Sequence, residues 1–123
     1  MKTKAAVLWE LNAPWTIEEI ELDAPGPNEV LVKLAASGMC HSDEHLVTGD
    51  LPFELPIIGG HEGAGVVQQV GSNVSWLAPG DHVVFGFIPS CGRCVSCSTG
   101  HQNLCDLGAL MGLGMQISDG TSR

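Results

Sequence analysis

The chain has 123 residues, 44% of them hydrophobic, enough for one domain with a modest core and too few for two of ordinary size. Fourteen acidic residues against five basic ones give a net charge of -9, which repels phosphate backbones and anionic lipid, so neither nucleic acid nor a membrane is expected as partner. The apolar run in MKTKAAVLWELNAPW stops at Glu10, too short for a signal-peptide core, and no later stretch approaches the roughly 18 apolar residues of a spanning helix.

A cytoplasmic protein is therefore expected, in a compartment where an odd cysteine count points to metal or redox chemistry and away from disulfides. Short runs rich in Val, Ile and Leu, punctuated by Gly and Pro, predict a mostly β fold. Strands are expected at residues 5–9, 15–22, 30–36, 63–70 and 82–87, with PGPNE (25–29) and APGD (78–81) as turns. The acidic residues Glu18, Glu19 and Glu21 read as a solvated strand face or a bulge, and Trp9, Trp15 and Trp76 as packing residues. One short helix is expected at 42–47, with Ser42 as its N-cap and Asp43 and Glu44 at the positive end of its dipole. His82 reads as a surface or core-edge side chain and His101 as a hydrogen-bonding member of the cysteine-rich loop. After Cys105 the pattern loosens into LGALMGLGMQISDGTSR, where GLGMQI (112–117) has G-x-G without the third glycine of a nucleotide-binding fingerprint and reads as a loop.

Four of the five cysteines fall in CGRCVSCSTGHQNLC, residues 91–105. Cys91, Cys94 and Cys97 repeat every three residues and Cys105 follows eight later, a spacing that lets one loop wrap its thiolates around a tetrahedral ion. Four sulfurs at about 2.3 Å close the coordination sphere of zinc, so this site is expected to be structural. A redox CxxC pair, an iron–sulfur cluster and plain buried cysteines are the rival readings, but iron–sulfur spacings differ and a redox pair would need only two thiols. Gly92, Gly100, Ser96 and Ser98 allow tight turns that bring backbone N–H groups toward the sulfurs.

Cys40 stands alone in SGMCHSDEH after an expected strand, and the next polar cluster is IGGHEGAG at 58–65. Thiolate, imidazole and carboxylate from Cys40, His61 and Glu62 are all ligand types of catalytic zinc, where protein atoms fill three positions and a fourth stays open. Taken singly, Cys40 also reads as a small core residue and His61 as a hydrogen-bonding partner in a glycine-rich turn.

GHEGAGVVQQVGSNV (60–74) resembles the zinc signature of the medium-chain alcohol dehydrogenases. The four-cysteine loop is similar to that family's structural-zinc lobe, and CHSDEH to its catalytic cysteine and proton-relay segment, closest in look to the class III and actinobacterial nicotinoprotein types. The resemblance implies a partial GroES-like β-barrel carrying a zinc-binding loop lobe and one or two short helices. It implies that Cys40 and His61 ligate a catalytic zinc, that Glu62 lies close enough to exchange onto it, and that Asp43 holds His61 from behind. It further implies that Ser42 takes the proton of the alcohol and passes it through the cofactor ribose to His45, with His41 at the cofactor pyrophosphate. The implied reaction carries a small alcohol to its aldehyde and hydride to NAD or NADP, in an enzyme expected to be a homo-oligomer. Residues 1–123 are expected to be the N-terminal part of the catalytic domain, without the Rossmann domain and without a third cysteine ligand, and so inactive alone. A zinc-stabilised, non-enzymatic binding module derived from that family is the alternative.

Overall fold

A computed structural model describes residues 1–111 and 120, and most of its regular structure is extended. The chain divides into two units, Met1–Phe85 and Gly86–Arg123.

In the first unit, strand β1 (Lys2–Leu8) pairs antiparallel with β2 (Thr16–Glu21), from Lys2 opposite Glu21 to Val7 opposite Thr16. Its other edge takes a two-residue strand, β4 (Ile57–Ile58), too short for any alternation to announce it in the sequence. The second sheet has the order β3-β5-β6, built from β3 (Val30–Ser37), β5 (Gly63–Val70) and β6 (His82–Val84). Neither three-stranded sheet closes on itself among the described residues, as suits a partial barrel. Leu8 and Val67 are fully buried and Val7 nearly so, and burying such a side chain contributes about 1.5–3 kcal/mol.

The β3–β5 ladder carries two irregularities that cancel. Between Leu31 and Val32 the partner skips from Gln69 to Val67, leaving Gln68 extra on β5. Between Leu34 and Ala36 the partners are the adjacent Gly65 and Ala64, leaving Ala35 extra on β3. With one bulge on each strand, the register at Ser37 opposite Gly63 is again that of Val30 opposite Val70.

Strand β5 spans the expected residues, whereas β6 stops at Val84, short of the expected 87. Phe85 N–H still donates to Gly63 O at 2.8 Å, but the chain then enters the second unit at Gly86. The helix α1 (His41–Thr48) begins one residue earlier than expected, and its N-cap is Cys40, not Ser42. Cys40 keeps the extended conformation of the preceding strand (φ -109, ψ 144), so the helix starts as soon as that run ends, and no side chain caps it. Asp43 and Glu44 occupy its first turn as expected, and Gly49 in the left-handed region (φ 82) ends it. Trp15 packs on Gly59, but Trp9 is 54% exposed and Trp76 78%, contrary to their reading as packing residues.

The second unit holds two single-turn helices, α2 (Val95–Ser98) and α3 (Gly108–Met111), with a 3-10 turn at Gln102–Leu104 between them. Its buried side chains among the described residues are Cys97 and Cys105. The GLGMQI loop and the tail after it lie outside the described residues, Gly120 excepted.

Candidate metal centres

The restored register of the β3–β5 ladder aims one cluster. Beyond Ser37 opposite Gly63, Gly38 N–H donates to Glu62 O at 2.8 Å, which sets Cys40 beside His61 although they are far apart in sequence. A thiol sulfur, an imidazole nitrogen and a carboxylate oxygen from Cys40, His61 and Glu62 lie within 4.8 Å of one another. Cys40 and His61 are partly buried and Glu62 is exposed. The Cβ of any other residue at Gly38 would meet the Glu62 carboxylate, so the glycine leaves the space in which Glu62 lies. Sequence reasoning passed over Gly38, although a glycine at the end of a strand and just before a candidate ligand is a signal of close approach.

Asp43 Oδ1 sits 3.5 Å from His61 Nδ1 and accepts the Gly60 N–H at 3.2 Å. A carboxylate on one imidazole nitrogen leaves the other as the lone-pair donor, which is the arrangement a metal-ligating histidine needs. Cys40 Sγ is 3.4 Å from Ser42 Oγ. The Ser42 hydroxyl, then its backbone N–H, then His61 hold the Cys40 thiol below its ordinary value, which favours the thiolate a metal binds. The donor set of thiolate, imidazole and carboxylate therefore fits zinc with positions to spare.

The remaining α1 residues divide. Ser42 joins the cluster through Cys40, whereas His41 and His45 meet each other, ring centroids 4.9 Å apart and planes at 85°. His45 Nδ1 is 3.2 Å from Asp50 Oδ2, and Asp50 also accepts the Thr48 hydroxyl at 2.7 Å. Asp50 is a partner that the sequence reading did not name.

In the second unit, the donor atoms of Cys91, Cys94, Cys97 and Cys105 also lie within 4.8 Å of one another. Tetrahedral zinc at about 2.3 Å from each sulfur needs sulfur–sulfur edges of about 3.8 Å, so the four are gathered at the right scale. Backbone donors surround them. Cys91 N–H points to Cys105 Sγ and Cys97 N–H to Cys94 Sγ, each at 3.4 Å. The N–H groups of Arg93 and Cys94 draw Cys91 down to about 6, and those of Asp106 and Cys97 lower Cys94. Burial pushes Cys97 up to about 11, so at neutral pH a cation among the four is what makes it a thiolate. Gly92, at φ +74, makes the turn that presents its N–H to Cys97. His101 bonds Thr99 Oγ1 through Nδ1 at 3.3 Å and gives its own N–H to Ser96 O, bracing the loop.

Residues 26–122 match the family model of the alcohol dehydrogenase GroES-like domain. The chain belongs to the zinc-type medium-chain alcohol dehydrogenase family. It is 56% identical over 124 aligned residues to alcohol dehydrogenase B of Mycobacterium tuberculosis and 55% over 123 to the NDMA-dependent alcohol dehydrogenase of Amycolatopsis methanolica. In each case the match takes in 100% of this chain and 33% of the relative, so the chain spans about a third of the length of these dehydrogenases. Among solved structures, benzyl alcohol dehydrogenase of Acinetobacter calcoaceticus superposes with a TM-score of 0.90 at 34% identity, over 99% of this chain and 33% of that one. An alcohol dehydrogenase zinc-binding domain protein from Burkholderia ambifaria gives 0.88 at 43% identity, over 97% and 32%. No helix among the described residues is long and apolar enough to cross a membrane.

Proposed function

We propose that the chain supplies the metal-holding and proton-handling part of a zinc-dependent alcohol dehydrogenase, which converts a small alcohol to its aldehyde and passes hydride to NAD or NADP. The observation that carries this reading is the meeting of Cys40, His61 and Glu62 donor atoms within 4.8 Å, with Asp43 3.5 Å behind His61. Cys40 and His61 hold the catalytic ion, with Glu62 in reach of it, while Cys91, Cys94, Cys97 and Cys105 hold a structural one. A bound zinc supplies the Lewis acidity that makes an alcohol acidic near neutral pH. Ser42, 3.4 Å from Cys40 Sγ, accepts the alcohol's proton, and His45, whose Nδ1 lies 3.2 Å from Asp50 Oδ2, delivers it to solvent. His41 offers one donor to the cofactor's pyrophosphate. We assign residues 1–123 to the N-terminal part of the catalytic domain of a cytoplasmic, homo-oligomeric enzyme, and expect no hydride transfer from these residues alone, since no stretch of them carries a full G-x-G-x-x-G.

Two measurements test the reading. Native mass spectrometry after buffer exchange should find zinc on both clusters, and a chain whose bound zinc survives both Cys40→Ser and Cys94→Ser overturns the ligand assignment. Alcohol-dependent NAD reduction should be absent with the chain alone, and turnover like that of an intact dehydrogenase overturns the assignment to a part. A second reading, a zinc-stabilised module that binds a partner, is favoured by exposed apolar side chains such as Val84 at 81% and Ile17 at 71%.

A further inference from the structure

We infer that His41 and His45 form a separate binding site for a divalent first-row transition ion, distinct from both cysteine-containing clusters. The two residues are four apart on α1, which places them one turn above the other on a single helix face. Their rings already touch, edge to face, at 4.9 Å. His45 is oriented as metal-bound histidines are. The Asp50 carboxylate at Nδ1 leaves Nε2 as its lone-pair nitrogen, and Thr48 Oγ1 holds Asp50 in turn. His41 is exposed, and its ring meets that of His45. Rotation about its χ2, a broad sp3–sp2 torsion, turns the edge-to-face contact into two converging nitrogens. Two imidazoles suit nickel, copper or zinc, and water fills the remaining positions. Glu44 in the same turn and the net charge of -9 draw a cation to this face.

This site does not depend on the dehydrogenase reading. One consequence does rest on it: an ion here occupies the His45 nitrogen that the proton relay needs, so such ions inhibit the complete enzyme.

The test is calorimetric titration of the zinc-loaded chain with Ni2+, beside the His41→Ala, His45→Ala, Asp50→Asn, Cys40→Ser and His101→Gln variants. Nickel binding should be present in the unaltered chain, Cys40→Ser and His101→Gln, be lost in both histidine-to-alanine variants, and weaken by about tenfold in Asp50→Asn. Paramagnetic broadening of imidazole signals should begin with His41 and His45. No nickel binding by the unaltered chain, undiminished binding in His41→Ala, loss in Cys40→Ser, or broadening that begins at His61 would each overturn the inference. Because nickel binding is read without substrate, cofactor or turnover, failure of this site and failure of the dehydrogenase reading are distinguishable.

Discussion

Gly38 has no side chain, and Glu62 uses the space. A Cβ there would meet the Glu62 carboxylate, with Glu62 Cβ at 3.0 Å and Cδ at 3.2 Å behind it. Gly38→Ala should therefore cost about 1–3 kcal/mol, as overpacking does, and weaken metal retention by Cys40, His61 and Glu62. Adding Glu62→Ala should recover most of the stability, read by denaturant unfolding, because the obstructed carboxylate is gone. An equal loss in the single and double variants would place the strain elsewhere. Glu18 offers a second test at this scale. Thr16 Oγ1 donates to it at 2.6 Å and Trp9 Nε1 at 2.5 Å, and these bonds, the Thr16 one first, hold its carboxyl below the usual range. With the folded value depressed, the bonds stabilise the fold above the ordinary carboxylate range, and that contribution disappears as pH falls through the folded value. Trp9→Phe removes one donor and should move the Glu18 midpoint upward in an NMR titration. A midpoint that stays put would mean the indole bond is not made in solution.

The two bulges of the β3–β5 ladder matter because they cancel. Deleting Ala35 leaves the Gln68 bulge uncompensated, moves Gly38 out of register with Glu62 and parts Cys40 from His61. The chain should then lose the metal of that cluster while the four-cysteine cluster keeps its own, as zinc stoichiometry will read; retention of both would show that the ladder does not set the site. In the second unit, Cys94 is at once a ligand candidate and the N-cap of α2, accepting the Cys97 N–H on its sulfur. Serine can cap a helix as well, so Cys94→Ser isolates the metal's contribution. Structural zinc contributes about 10–16 kcal/mol in zinc-finger peptides, and its loss should abolish amide-exchange protection in this unit. Cys40→Ser should leave that protection intact, and equal loss in both variants would contradict the division of labour. What the sequence disclosed follows the same lines. The four cysteines and the strand at 63–70 were legible because a ligand spacing and a run of Gly and Val are local signals. The pairing of Gly38 with Glu62 and strand β4 were not, because each depends on a register or a fold-back that no short window contains. The N-cap was misplaced by two residues because serine's capping preference yielded to the extended run that delivers Cys40.

At the scale of the whole chain, apolar surface is left facing outward on both sheets. Ile17 on β2 and Val84 on β6 lie on edge strands, 71% and 81% exposed. Unpaired edges of this kind recruit other chains, against the repulsion of a net charge of -9. Sedimentation should show association that grows with concentration and with salt, and Val84→Lys should reduce it; a monomer at all salt concentrations would mean that the charge wins. A last consequence lies in how Cys40 and His61 are presented. Both stand at the end of one hydrogen-bonded ladder, so residues 52–56 can lengthen or change composition without turning either side chain, and each doubling of a flexible loop costs only about 0.6 kcal/mol. Such an arrangement separates what must be inherited intact from what can be exchanged. A loop grafted there, by recombination or in a laboratory library, would vary while the aim of the cluster is preserved.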